Sequence, residues 1–335
     1  MAGLQDVKMA GLRNPQLDET TLESLTDRVV DSIGEALARG APLAAAALQL
    51  LLRRYSTGAR ADVAEPLGAA LAREVERQAE HGSPGDVEGW IAVFSEAAAI
   101  SDDPRLPRAA ADLLDELRSR WAKPVESVES VESVESVENV EHLENVENGR
   151  NLQNARKAVG DVMHAVEACL LAVNVPEARE LAAEAIDALE RVVAGAYRPG
   201  QGMSHEIAKA GFVRGGLSDH VRSASTLLTA YQLTARLPYA MLADELMQSV
   251  LRTRPAEPEG RDLSFAITSE LARVFCRLAA LHRDEEYRRT AVLAVHEDYA
   301  RDAAETLAAL ASSVPERGVD AAPFGLALAE WLNLR

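Results

Sequence analysis

Apolar positions recur along most of this chain at the spacing of an α-helix. The clearest stripe advances by steps of three or four residues and consists of Val159, Val162, Met163, Val166, Cys169, Leu170 and Val173. Side chains at these steps lie on one face of a helix. Strict alternation of apolar and polar residues, which marks a half-buried strand, appears nowhere at length. The pattern therefore predicts an all-α protein.

Short polar turns interrupt the apolar stripes, and each turn leads into an Ala-rich helix. Five such turns occupy residues 55–62, 101–106, 173–177, 234–239 and 281–287. A recurring unit of helix, turn and helix predicts a helical-hairpin repeat. We expect the return helix of the fifth hairpin to include Ala291 and Val295. A sixth hairpin is expected from helices over 297–311 and 321–332, and a further helix over 20–39 precedes all six.

Six hairpins suit a closed ring, the (α/α)6 toroid, because closure removes the apolar ends that an open solenoid must cap. We therefore expect a flexible N-terminus over residues 1–16 and a single toroid domain over 17–335. An open α-solenoid that serves as a protein-interaction scaffold is the alternative.

A low-complexity segment over residues 123–150 interrupts the toroid pattern. Within 125–148, Val-Glu-Ser triplets give way to Val-Glu-Asn, with eight glutamates and no lysine or arginine. A period of three matches neither a helix nor a strand, and glutamates at this spacing repel one another on a helix. We expect a disordered acidic linker, with capture of a basic partner as the alternative.

Composition supports the helical interpretation and limits the classes of binding partner. The chain has 335 residues, of which 47% are hydrophobic and only 4% aromatic. The net charge of −18 disfavours nucleic acid and anionic membranes, since both require clustered basic residues. We see no secretory signal or membrane span and expect a cytoplasmic protein. The two cysteines, Cys169 and Cys276, lie on apolar faces and are expected to be buried free thiols.

The segment 197–216 contains five glycines and one proline, which exclude a regular helix. Long polar loops held by a rigid scaffold often carry binding and catalytic residues. We therefore predict that this segment binds a ligand through Tyr197, Arg198, His205, Glu206 and Arg214. Asp219 and His220, just after it, are the candidate catalytic acid and base. In the alternative interpretation, Ser218 caps the next helix and Asp219 lies at its positive end.

Other chemistry has weaker support in the sequence. His164, with Asp161 and Glu167 one turn either side, is expected to lie on a solvated helix face, because no metal-ligand motif surrounds it. Phosphate-binding glycine motifs and the Gly-x-Ser-x-Gly motif of hydrolases do not occur in the sequence. We expect no metal and no cofactor.

One stretch is similar to a known family. Residues 215–234, which read Gly-Gly-Leu-Ser-Asp-His-Val-Arg-Ser-Ala-Ser-Thr-Leu-Leu-Thr-Ala-Tyr-Gln-Leu-Thr, are followed by Leu-Pro-Tyr-Ala-Met-Leu-Ala-Asp-Glu-Leu at 237–246. This resembles the helical region of thioredoxin-domain-containing proteins of the spermatogenesis-associated type. That region looks like the six-hairpin glycosidase and N-acylglucosamine 2-epimerase toroids.

The resemblance implies a six-hairpin toroid whose cavity end binds a carbohydrate. Ala235 stands where the family pattern has glycine, no Trp-Cys-x-x-Cys motif occurs, and the epimerase histidines have no counterpart that can be placed. Our first hypothesis is a domain that binds a carbohydrate-like or other small polar ligand without requiring catalysis. The alternatives are a glycan-active hydrolase or epimerase, and the protein-interaction scaffold.

Overall fold

A computed structural model describes residues 19–58, 63–81, 86–121, 158–207, 212–253, 261–291 and 298–334. The α-helices in chain order are α1 (Glu19–Ala38), α2 (Ala45–Ser56), α3 (Ala64–His81), α4 (Val87–Ala98), α5 (Arg105–Trp121), α6 (Val159–Leu171), α7 (Arg179–Ala196), α8 (Leu217–Thr234), α9 (Leu237–Thr253), α10 (Arg261–Leu281), α11 (Glu285–Thr290), α12 (Tyr299–Ala311), α13 (Val314–Arg317) and α14 (Ala322–Leu332). Short 3-10 turns occupy Ala172–Asn174, Pro176–Ala178 and Gly318–Ala321. Two-residue strands, β1 (Tyr197–Arg198) and β2 (Gly202–Met203), pair antiparallel.

The predicted all-α class is confirmed for these residues. The helix expected over 20–39 is α1, and the turns expected at 101–106, 173–177 and 234–239 each separate two helices. The fifth hairpin differs, because α11 ends at Thr290 and Ala291 adopts an extended backbone with ψ of 92°. The prediction that Ala291 is helical is therefore wrong. Val295, the N-terminal segment 1–16 and the linker 123–150 lie outside the described residues.

The chain divides into two compact units. One consists of Met1–Glu80 together with Arg254–Arg335, and the other of His81–Thr253. Closure into a toroid and a single domain over 17–335 stay predictions. Among the described residues, no helix combines the length and apolar character that crossing a membrane would require.

The unit His81–Thr253 is built from three successive helix pairs, α4 with α5, α6 with α7, and α8 with α9. The first helices of these pairs also pack side by side, with α6 lying between α4 and α8. The contacting helix faces carry small side chains, which allow close packing, and these include the buried residues Ala165, Ala168, Ala224 and Ala230. This arrangement brings the N-terminal ends of α6 and α8 close together, because Gly160 at the start of α6 contacts Asp219 at the start of α8.

In the other unit, α10 packs against α12 and α14, and α14 also contacts α1 and α2. Glu330 on α14 accepts hydrogen bonds from Arg53 on α2 (3.2 Å) and Arg273 on α10 (2.8 Å). Burial alone would raise the pKa of Glu330, but the charges of Arg273 and Arg53 outweigh it and lower the pKa below 4.5. A partly buried carboxylate thus links three helices of this unit.

The two cysteines are free and buried, as predicted. Burial raises the pKa of both thiols, that of Cys276 to about 12. A thiol with a raised pKa is protonated at neutral pH and is a poor nucleophile.

Candidate functional site

The segment that follows α7 forms a small backbone ladder. Tyr197 pairs with Met203 and Arg198 with Gly202 across the β1–β2 hairpin. One further bridge follows, where Ser204 pairs with Arg214. The His205 N–H donates to the Val213 carbonyl (2.9 Å) and the Gly215 N–H donates to the Met203 carbonyl (2.8 Å). The ladder therefore positions His205 opposite Val213, a few residues before α8 begins.

Glu245 on α9 holds the hairpin turn. The Tyr197 hydroxyl donates to one oxygen of Glu245 at 2.6 Å, and the Gly200 N–H donates to the other at 3.2 Å. Burial raises the pKa of Tyr197, and the Glu245 carboxylate raises it further. Tyr197 is thus a neutral hydrogen-bond donor that fixes the hairpin against α9.

Asp219 is the centre of the site. Its side chain is 1% exposed, and its two oxygens accept three hydrogen bonds. The Gly160 N–H donates to Oδ1 at 2.9 Å, and the Gly216 N–H donates to Oδ2 at 2.9 Å. His205 Nδ1 lies 2.9 Å from Oδ2. A buried carboxylate is stable only with such partners, and both N–H groups come from helix N-termini that favour negative charge.

Glycine is required around this carboxylate because there is no room for a side chain. A Cβ on Gly160 would lie 3.0 Å from Asp219 Oδ1, and one on Gly215 would lie 2.8 Å from the Asp219 Cβ. The start of α6 is also tied to the loop directly, since the Val159 N–H donates to the His205 carbonyl at 2.8 Å. The carboxylate is therefore enclosed by backbone from three segments.

His205 is the exposed member of the pair. Its side chain is 51% exposed, and its Nδ1 is bonded to Asp219. The hydrogen bond to Asp219 raises the pKa of His205 above 6.5, and the negative charge of Asp219 raises it further. With Nδ1–H donated to the carboxylate, Nε2 is the ring nitrogen left for a ligand. An imidazole oriented in this way can donate or accept a proton near neutral pH.

His220 has a different environment from His205. It is 3% exposed, its Nδ1 lies 2.8 Å from the Gly216 carbonyl, and its buried Nε2 has no hydrogen-bond partner among the described residues. A Cβ on Gly202 would lie 2.4 Å from that Nε2, so the ring packs directly under the hairpin. Burial lowers the pKa of His220. The neutral ring supports the hairpin, and its role as a catalytic base stays a prediction.

The remaining predicted ligand residues lie on the same segment but do not converge on one point. Arg198 is exposed and donates to the Tyr197 carbonyl (2.8 Å), and Arg214 donates to the Ser249 hydroxyl (2.9 Å). Glu206 is half-buried, and its carbonyl accepts from the Ser204 hydroxyl. The structure thus brings together His205 and Asp219, with Tyr197 and His220 as supports of the hairpin.

The predicted helix cap was assigned to the wrong residue. The helix α8 begins at Leu217 with Gly216 as its N-cap, so Ser218 lies within the first turn. Asp219 reaches back to the Gly216 N–H and satisfies it, which leaves the serine hydroxyl without a capping role. The expectation of a favourable charge at the helix N-terminus is confirmed for Asp219.

The expected solvated face around His164 is also partly wrong. Asp161 is exposed and paired with Arg222, as such a face requires. Glu167 is only 7% exposed, because its carboxylate is turned toward α8. The single stripe of apolar residues on α6 did not reveal that α8 packs on the neighbouring face.

Two residues of the site were missed by the sequence analysis. Glu245 and Gly160 lie 48 and 59 residues from their partners Tyr197 and Asp219. Glu245 resembles any charged residue on a helix, and no local pattern marks it. Gly160 carried a weak signal, since glycine in the first turn of a helix is unfavourable without a packing reason.

No protein-family model matches this sequence, and no curated protein matches it. The resemblance to thioredoxin-domain-containing helical regions therefore stays a prediction.

Proposed function

We propose that the segment 197–216 binds a small polar, carbohydrate-like ligand through His205. The observation that carries the proposal is a half-exposed imidazole whose Nδ1 is held by a buried carboxylate. Orientation by a carboxylate fixes which nitrogen faces the ligand and favours the charged ring. The charged ring donates a hydrogen bond from Nε2, and the neutral ring accepts one there. His205 can therefore bind a ligand hydroxyl that acts either as an acceptor or as a donor.

Exposed apolar side chains on the segment and at the start of α8 support the same proposal. Val213, whose backbone pairs with His205, is 67% exposed, and Ile207 and Leu217 are 49% and 40% exposed. Small-molecule sites commonly combine apolar contacts with a few oriented polar groups. A ligand with hydroxyl groups and a C–H face would match both features.

A thermal-shift panel of mono- and oligosaccharides tests this proposal. The panel is run on the wild-type chain, on His205→Gln and on His81→Gln, a control that removes an exposed histidine outside the segment. We expect one class of saccharide to raise the Tm of the wild type and of the control, and to have no effect on His205→Gln. If no saccharide raises the wild-type Tm, or if His205→Gln responds equally, the proposal is wrong.

Glycan turnover is the second candidate function, favoured by the same pair of residues. His205 would exchange a proton with a sugar hydroxyl or glycosidic oxygen, and Asp219 would orient the ring. Asp219 is 1% exposed, so it would act through His205 and not on the substrate. In that case Asp219→Asn lowers kcat and moves the pH optimum of a glycan activity to a lower pH. An unchanged pH profile in Asp219→Asn would exclude this role.

A further inference from the structure

A second polar cluster lies deeper along α6 and is not used by the proposed site. Glu167 lies seven residues after Gly160, which is about 10 Å along the helix axis. Glu167 is buried, and its Oε1 accepts hydrogen bonds from the hydroxyls of Ser225 and Thr229, each at 2.7 Å. Two donors one turn apart on α8 therefore fix the orientation of this carboxylate.

His164 lies one turn before Glu167 on the same helix. Its Nδ1 is buried and has no hydrogen-bond partner in the part of the chain that the structure describes. Leaving such a nitrogen without a partner destabilises the fold, because the group loses its hydrogen bonds to water on burial. The ring of His164 and the carboxylate of Glu167 offer ligand atoms within 4.8 Å of each other.

We propose that His164 and Glu167 bind a divalent transition-metal ion. Residues three apart face the same side of a helix, and a His and a Glu at this spacing supply a nitrogen and an oxygen ligand to one ion. This mixed donor set suits Mn²⁺ or Zn²⁺ better than Ca²⁺, which prefers oxygen ligands alone.

The hydroxyls of Ser225 and Thr229 would hydrogen-bond the ligand Glu167 and would not contact the ion. Ligating carboxylates are themselves hydrogen-bonded in metal sites, and removal of such a partner commonly weakens metal binding about 10- to 100-fold. Ser225 and Thr229 are thus positioning residues. The bound ion would also give the buried Nδ1 of His164 a partner.

Titration with Mn²⁺ alone tests this site, monitored by calorimetry and by pulsed electron paramagnetic resonance. The chain carries a net charge of −18, so weak binding to surface carboxylates must be separated from the site. The ligand variants are His164→Asn and Glu167→Gln, and the positioning variant is Ser225→Ala. Asp161→Asn is the matched control, since it removes one exposed carboxylate from the same helix. Circular dichroism checks that each variant is folded.

We expect one Mn²⁺ per chain with a nitrogen modulation in the resonance spectrum. His164→Asn should abolish the nitrogen signal, Glu167→Gln should weaken binding more than tenfold, and Ser225→Ala should weaken it by about tenfold. Asp161→Asn should bind as the wild type does. Absence of stoichiometric binding, or a nitrogen signal that persists in His164→Asn, would overturn the proposal. The saccharide result at His205 does not affect either outcome.

Discussion

A single buried carboxylate organises the candidate site at the level of residues. Asp219 accepts from two backbone N–H groups and from His205, and so joins the starts of α6 and α8 to the loop. This contact explains why the half-exposed imidazole of His205 has a fixed orientation. The chemistry available to a ligand depends on His205, and the geometry of His205 depends on Asp219.

The ionisation of His205 should follow from that contact. Because Asp219 raises the pKa of His205 above 6.5, the pair stabilises the fold below the unfolded pKa, and this contribution is lost as the pH rises through the folded value. We predict that His205→Gln lowers the free energy of unfolding more at about pH 5.5 than at about pH 8.5. Denaturant unfolding at both pH values measures the difference. An equal loss at the two pH values would contradict the contact.

The fit of the hairpin over His220 gives a second prediction. Gly202 has φ of 82°, and a Cβ there would overlap His220 Nε2, whereas Gly200 has φ of 74° and nothing within 4 Å. We predict that Gly202→Ala destabilises the chain by about 2 kcal/mol or more, and Gly200→Ala by about 1 kcal/mol from backbone strain alone. Urea unfolding measures both. Equal effects would show that His220 does not support the hairpin.

The sequence identified only some features of the candidate site. His205 stood out because it lies in a glycine-rich segment between helices, and Asp219 because it follows that segment directly. Their contact depends on a backbone ladder between residues 203–205 and 213–215. No periodic pattern in the sequence predicts this ladder or the burial of His220. The sequence placed both His205 and His220 at the site, but it did not show that His205 is half-exposed and that His220 is buried.

At the level of elements, the apolar periodicity of the sequence predicted where a helix forms, whereas the residue at which a helix begins or ends depends on local hydrogen bonds. The helix α6 appears where its apolar stripe predicted it. The ends were less predictable, because the side chain that caps α8 is that of Asp219, in the third position of the helix, and not that of Ser218. The short α11 shows the same limit, since an Ala-containing segment leaves the helix at Ala291.

The end of α8 carries a conformational strain that a substitution should relieve. Ala235 has φ of 54° at the C-cap, where the resembling family has glycine, and a left-handed residue with a side chain costs about 1 kcal/mol. We predict that Ala235→Gly raises the free energy of unfolding by up to about 1 kcal/mol. Thermal and urea unfolding measure it.

Ala183→Gly, at an exposed position within α7, serves as the control and should lower stability by about 1 kcal/mol. Destabilisation by both substitutions would mean that Ala235 is not strained.

At the scale of the whole molecule, the hairpin repeat accounts for the arrangement inside the unit His81–Thr253. Three consecutive pairs place their first helices side by side, as stacked hairpins do. Such stacking is common to closed toroids and open solenoids, so the sequence pattern predicted the pairs but could not decide on closure. Closure depends on how the first and last hairpins meet, which involves contacts across nearly the whole chain length.

Small-angle scattering tests the toroid prediction. We use a variant without residues 123–150, because the predicted linker would add its own extension. A closed toroid predicts a radius of gyration of about 19 Å from globular scaling. A clearly larger value with an elongated distance distribution would favour the open solenoid and its role as a scaffold.

The central claim is that His205, held by Asp219, contacts a small polar ligand. The most direct measurement is the imidazole proton NMR signal of His205, assigned by its loss in His205→Gln and followed while saccharides are titrated into the wild-type chain. The account predicts a saturable shift of this signal with one saccharide class, reduced in Asp219→Asn. A His205 signal that stays unchanged across the whole panel would contradict it.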